Sequence, residues 1–236
     1  MYFDLYYLII VMPFVLIAMY ASWKVNSTYK RYERVTLSCG ISGAEAARMV
    51  LREAGLTTVR VEMCKGHLTD HYDPRNNTVY LSEGVYHGCN AAACGVAAHE
   101  AGHAVQHAEE YVPIRIRTAL VPVTNFGSSL GIWLIMIGVI LSFLGQIFVY
   151  IAYFGILLFS LTAIFQLVTL PVEFNASRRA MTALHASGSF TKEEEQGARR
   201  VLSAAAMTYV AALAVTLAQL LRLLLIVANA AGRRRD

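Results

Sequence analysis

Hydrophobic positions along this chain fall in long uninterrupted blocks. Residues 5 to 22 (LYYLIIVMPFVLIAMYAS) carry no charge and are bracketed by Asp4 and Lys24. At ~20 residues per crossing, that block is long enough to span a bilayer as a helix. A cleaved signal peptide is the competing reading. The acidic start, and the Trp23-Lys24-Val25 that follows in place of a small-x-small site, favour an uncleaved anchor. No charged residue occurs between Ala119 and Thr169, which is room for two spans with Leu144-Gly145-Gln146 as the turn between them. A fourth apolar stretch runs from about Leu202 to Ala228 and is broken only by Arg222, which can snorkel to the interface with Arg233, Arg234 and Arg235. The pattern predicts an α-helical integral membrane protein with about four transmembrane helices.

Between the first two spans the pattern changes. Residues 24 to 117 read as one compact α+β domain, 118 to 170 as a transmembrane hairpin, 171 to 201 as a separate helix, 202 to 229 as the last span and 230 to 236 as a basic tail. Ser42 followed by Glu45 predicts a capping box opening a helix through about Glu53, ended by Gly55. Residues 57 to 62 and 77 to 82 alternate like strands, with turn chemistry at Pro74-Arg75-Asn76-Asn77 before the second. A small sheet therefore precedes the alanine-rich run from Ala91 to Glu110, which favours helix.

Within that run stands His99-Glu100-Ala101-Gly102-His103. Residues four apart on a helix share a face, so both imidazoles can address one ion while Glu100 projects beside it. A buried helix with two incidental histidines is the bland alternative, but it gives no packing reason for a Glu between them. Catalytic zinc keeps three protein ligands and one open position, so a third ligand must come from elsewhere. His107 lies ~12 Å along the axis from His99 at ~1.5 Å per residue, too far to share the ion, and reads as a solvent-facing or outer residue. Glu173, in Leu170-PVEFNASRRA, is the better candidate. Pro171 suits the first turn of a new helix, and Ala176, Ser177 and Ala180 give that helix a small-residue face for close packing on the alanine-rich one. A helix-start Glu favoured by the macrodipole remains the alternative for Glu173.

Taken in order, LTDHYDPRNNTVYLS at 68 to 82, HEAGHAVQ at 99 to 106 and EFNASRRA at 173 to 180 make the chain resemble the YugP-like family of bacterial membrane zinc metallopeptidases. It is more distantly similar to HtpX-type membrane proteases and CAAX prenyl endopeptidases. The resemblance covers nearly the whole chain. It implies a small zincin-like metalloprotease domain, Zn2+ as cofactor, the bacterial inner membrane as location, and Glu173 of the Glu-x-x-Ala sequence as third ligand. The HtpX-type pattern has Asp after that Ala where this chain has Ser177, so the role of that Asp does not carry over. In zincin-type proteases an edge strand aligns the substrate backbone by β-augmentation, which makes residues 77 to 82 either such a rail or an ordinary core strand. His71 and Tyr72, ahead of that strand, are candidate oxyanion donors, and His185 is a further auxiliary candidate along the Glu173 helix.

Composition agrees: 56% of 236 residues are apolar and 15% charged, too apolar for an ordinary soluble domain. A formal net charge of +4, with basic residues gathered at span ends, points to anionic lipid headgroups rather than nucleic acid. Lys24, Lys30, Arg31, Arg34, Arg115, Arg117, Arg178, Arg179, Lys192, Arg199 and Arg200 share one side of a four-span chain, and the positive-inside tendency makes it cytoplasmic. The Arg233-Arg234-Arg235 tail argues the other way. Cys39, Cys64, Cys89 and Cys94 form no C-x-x-C pair, so neither a structural zinc site nor a redox motif is indicated. Glu100, Gln106, Glu109 and Glu110 place the zinc helix at or outside the membrane surface.

The expectation is a zinc endopeptidase acting on peptides or membrane proteins near the bilayer, with Glu100 as proton acceptor and no cofactor beyond zinc. The alternative is a noncatalytic, zinc-stabilised membrane partner for other proteins. Glu100 favours catalysis, because holding zinc does not require it.

Overall fold

A computed structural model of the chain describes residues 5–232. Asp4 and the Arg233-Arg234-Arg235 tail, on which part of the span and orientation argument rests, lie outside the described residues. The fold is mostly helical with one small sheet. A π-helical turn, Tyr7–Val11, leads into α1 (Met12–Tyr32), followed by α2 (Gly43–Glu53), β1 (Arg60–Cys64), β2 (His71–Asp73), β3 (Thr78–Ser82), α3 (Glu83–Tyr86) and α4 (Ala91–Ala108). Three long helices complete the chain: α5 (Val112–Ile140), α6 (Gln146–Ala186) and α7 (Lys192–Gly232). Four helical segments, Tyr7–Tyr32 and these last three, are long and apolar enough to cross a membrane.

The chain divides into two compact units. One comprises the residues up to Tyr20, Ile116–Thr169, and the residues from Thr208 onward. Here α5 and α6 form an antiparallel hairpin whose turn falls at Leu141–Leu144. The hairpin closes on glycines: a Cβ on Gly131 would meet the Gly155 carbonyl oxygen at 2.7 Å, and one on Gly138 would meet that of Phe148 at 2.6 Å. Lipid offers no hydrophobic drive between helices, so such backbone-to-backbone approach is what holds apolar spans together. Ile135, Val149, Ala152, Ile156 and Val227 form the buried cluster of this unit. Arg222, the one charge in the fourth apolar stretch, sits 5.4 Å over the Tyr7 ring, where the π face accepts a cation.

The second unit, Ala21–Arg115 and Leu170–Met207, contains the sheet and the helix bearing His99 and His103. Ser42 caps α2 through the expected reciprocal bonds with Glu45, and Gly55 takes a φ of +72° just beyond the helix end. Strand order is β1-β3-β2, with β3 parallel to β1 and antiparallel to β2. This corrects the expectation of a substrate rail on residues 77 to 82. Those residues form the middle strand, whose backbone groups are taken from both sides, so the short β2 is an edge in its place. β2 lacked a sequence signal because three residues are too few to show alternation.

Pro171 does not begin a helix. It lies inside α6, which runs unbroken through it. An interior proline costs ~3 kcal/mol by removing one backbone bond and crowding the preceding turn. A stripe of Val172, Ala176, Ala180 and Leu184, spaced by four and each fully buried, outweighs that cost. Glu173 is consequently mid-helix, and the macrodipole reading of it falls away.

Small residues let helices close on α4. Asn90 caps its start, accepting from the Ala93 N–H at 2.9 Å. A Cβ added to Gly95 would meet Ala198 of α7 at 3.1 Å, and one added to Gly102 would meet the Ala176 carbonyl oxygen of α6 at 2.8 Å. Gly102→Ala is expected to force α4 and α6 apart and destabilise this unit by about 1–3 kcal/mol. The check is the thermal midpoint of the detergent-purified protein; an unchanged midpoint would contradict so close a crossing.

Candidate metal centre

That crossing sets three donor atoms face to face. The Glu173 carboxylate lies 3.3 Å from His99 Nε2 and 3.7 Å from His103 Nε2, and the ligand atoms of all three residues fall within 4.8 Å of one another. Among the described residues this is the only such cluster of His, Cys, Asp and Glu. In a tetrahedral zinc site with bonds of ~2.0–2.1 Å, neighbouring donor atoms stand about 3.4 Å apart. Two imidazole nitrogens and a carboxylate oxygen at this spacing fit zinc in both chemistry and size, and these three residues could hold the ion. Glu173 is 3% exposed and His103 8%, so the donors face one another in a site nearly closed to bulk water.

Hydrogen bonds behind the imidazoles aim them. Gln106, fully buried, donates from Nε2 to the Val172 carbonyl at 2.8 Å and to Asn175 Oδ1 at 2.9 Å. With both amide hydrogens used, its Oε1 is left facing His103 Nδ1 at 3.0 Å and can only accept. His103 must therefore carry a proton on Nδ1, which leaves Nε2 as the nitrogen turned toward Glu173 and the one available to ligate a metal once it is unprotonated. Asn175 Oδ1 also accepts from Arg179 Nε at 2.7 Å, and Arg179 pairs with Glu109 at 2.7 Å. The network runs from α4 to α6 and back, tying the two helices together at the site.

His99 Nδ1 lies 3.0 Å from Ser177 Oγ. The position at which this chain departs from the HtpX-type Asp thus still touches a metal-facing imidazole, with a hydroxyl in place of a carboxylate. Neither Gln106 nor Ser177 was identified from sequence in this role. Gln106 enters the sequence reading only as one of the polar residues that set the zinc helix at or outside the membrane surface, and the structure buries it fully; the signal present is a polar side chain three residues after His103, on a face otherwise made of small residues. Glu109 and Glu110 are exposed.

Glu100 follows His99 on α4 and is half-buried. Burial raises its carboxyl above the ordinary value, opposed by His99 and His103, with Glu173 and Asp70 adding to the rise. Asp70 is held by the backbone N–H of Ser82 at 2.7 Å and by its hydroxyl at 3.0 Å, which ties the segment before β2 to the end of β3.

The remaining sequence candidates lie outside the ligand cluster. His71 is exposed on β2, its ring stacked on Tyr80 and its Nδ1 2.8 Å from the Thr69 carbonyl. Tyr72 donates to Asn77 Oδ1 at 2.9 Å and sets its ring against His107 of α4, centroids 5.4 Å apart. His107 is therefore partly covered by β2. His185 is exposed and paired with Glu195 at 3.0 Å. The four cysteines are free; Cys94 is buried and burial pushes its thiol up, which makes it an inert packed residue.

Residues 7–228 match the sequence profile of a family described as "putative neutral zinc metallopeptidase". Over 213 residues the chain is 46% identical to the "putative membrane protease YugP" of Bacillus subtilis (strain 168), an alignment that covers 90% of this chain and 92% of that protein. No solved structure matches.

The orienting role of Gln106 has a direct consequence. Gln106→Leu is expected to weaken zinc binding by roughly 10–100-fold, as loss of such an outer hydrogen bond does elsewhere, because the His103 tautomer is no longer fixed. Competition with a calibrated zinc chelator measures it; affinity within twofold of wild type would contradict the tautomer argument.

Proposed function

The chain belongs to the neutral zinc metallopeptidase family, and from that premise we propose that it is a membrane-anchored zinc endopeptidase cleaving peptide bonds of membrane proteins or peptides near the bilayer. The observation that carries this reading is the Glu173 carboxylate facing both histidine Nε2 atoms, with Glu100 one residue from His99. His99, His103 and Glu173 would hold the zinc ion, which would supply Lewis acidity for a water and for the scissile carbonyl. Glu100 takes the proton of that water as it attacks and returns it to the departing amine.

In this reading the second unit is a zincin-like catalytic domain. The edge strand β2 aligns an extended substrate by backbone pairing, and His71 or Tyr72 on that strand supplies the oxyanion donor. The similarity to HtpX-type proteases points to membrane protein quality control as the setting. The basic residues flanking the spans support a cytoplasmic face of the inner membrane as the side on which the catalytic unit works.

Two measurements test these statements. Glu100→Gln is expected to keep one zinc per chain and lose roughly 10²–10⁴-fold in peptide hydrolysis, whereas Glu173→Ala loses both zinc and activity. Full activity in Glu100→Gln sinks the mechanism, and a zinc-loaded wild type that cleaves no peptide favours the noncatalytic partner. For orientation, a membrane-impermeant maleimide should label the exposed thiol of Cys39 only after the cells are permeabilised, with Cys39→Ser as the control. Labelling in intact cells reverses the topology.

A further inference from the structure

Beside the metal centre, α6 and α7 line an open cavity of about 790 Å³ whose walls include Phe174, Ser177, Arg178, His185, Arg199 and Met207. Its electrostatics are one-sided. Arg178 and Arg199 are exposed, and neither guanidinium makes a hydrogen bond or ion pair with a described residue. His185 already has Glu195 as a partner at 3.0 Å, and no carboxylate lines the cavity. Elsewhere in the same unit arginines do find partners: Arg179 pairs with Glu109 and Arg200 with the Tyr32 hydroxyl. Two fork-shaped donors left without acceptors over one cavity are matched to a carboxylate, which they can bind in bidentate fashion. The apolar part of the wall includes Phe174, 44% exposed, and Met207, 53% exposed. A flexible thioether next to an aromatic ring accommodates apolar side chains of varied shape.

Ser177 ties this cavity to the chemistry. Its hydroxyl lines the cavity and is 3.0 Å from His99 Nδ1, so one side chain separates the cavity from a metal-facing imidazole. An extended peptide advances ~3.3 Å per residue, so a residue within a few positions of a bond cleaved at the metal reaches it. We propose that this cavity is a substrate subsite that takes an acidic side chain of the peptide between Arg178 and Arg199, with a neighbouring apolar side chain against Phe174 and Met207. The inference rests on the peptidase reading and narrows its substrate class to peptides with an Asp or Glu beside an apolar residue near the scissile bond. The proximity of Ser177 to His99 favours a peptide over a lipid headgroup as the occupant.

Binding, measured apart from turnover, tests it. The full-length zinc-loaded protein carrying Glu100→Gln is titrated with fluorescent peptides that differ at one position, Glu against Gln, each next to Leu, in a neutral detergent. The Glu peptide is expected to bind at least tenfold more tightly, an advantage that shrinks with added salt and disappears in Arg178→Gln/Arg199→Gln, whose zinc content serves as the folding control. Equal affinities for the two peptides overturn the proposal. So does an advantage that survives the double substitution at unchanged zinc content. Vesicles of phosphatidylglycerol and phosphatidylcholine separate the other occupant: if Arg178 and Arg199 govern capture of the anionic lipid while the Glu peptide fails to compete, the cavity is a headgroup site and the proposal falls. If wild type hydrolyses neither peptide while the affinity difference holds, the catalytic reading fails and the subsite stands as a peptide-binding site.

Discussion

The approach of α4 to α6 is the constraint on which the rest of this structure depends. Two metal-facing imidazoles from one helical turn require only that a helix form. The carboxylate opposite them must come from another helix, close enough for its oxygen to stand 3.3 Å from an imidazole nitrogen. A crossing built on leucines holds helix axes too far apart for that. Here Gly102 meets the Ala176 backbone directly, and Ala176 is the residue three positions after Glu173, so the point of contact and the ligand share a helical face. The alanine and glycine content of α4 serves this approach. It also explains why Pro171 is tolerated in α6, since a break there would release the face on which Glu173 stands.

Once the backbones are that close, polar side chains complete the geometry. The burial of Gln106 would be costly if its amide were unpaired, by ~1–3 kcal/mol for each orphaned group. All its donors have acceptors in α6, and the acceptor that remains is the one His103 needs. A single side chain therefore links helix packing to imidazole orientation. His99 is aimed by Ser177, a weaker partner than a carboxylate. A hydroxyl adds no negative charge behind that imidazole, whereas an Asp in the same place would.

How much of this was legible in the sequence follows from how local each signal is. Spans are written in residue composition, and Ser42 with Glu45 announced α2 because a capping box is completed within one turn. His99, Glu100 and His103 are readable for the same reason, their spacing being that of a helix face. Glu173 was reached through the small residues after it and through family resemblance, and the helix start assigned to it was wrong because a local proline rule lost to a long buried stripe. The middle position of β3 could not be read at all, since a strand's neighbours are decided by pairing across the fold. Gln106 and Ser177 act through space on residues of another helix, and nothing in the local sequence says which polar side chain will be buried.

Charge gives the last step. Glu173 is buried and Glu100 half-buried in the same site, and Asp70 lies close enough to add to the field on Glu100. Burying carboxylates together is unfavourable unless cations accompany them, and only two imidazoles stand between these. To serve as ligands those imidazoles must be neutral at Nε2, which removes the one compensation they can offer. A divalent cation resolves the conflict, balancing Glu173 directly and allowing both histidines to give up protons. Metal binding would then be coupled to the stability of the α4–α6 crossing, because an ion held by His99, His103 and Glu173 would be the counter-charge at the point where the two helices meet.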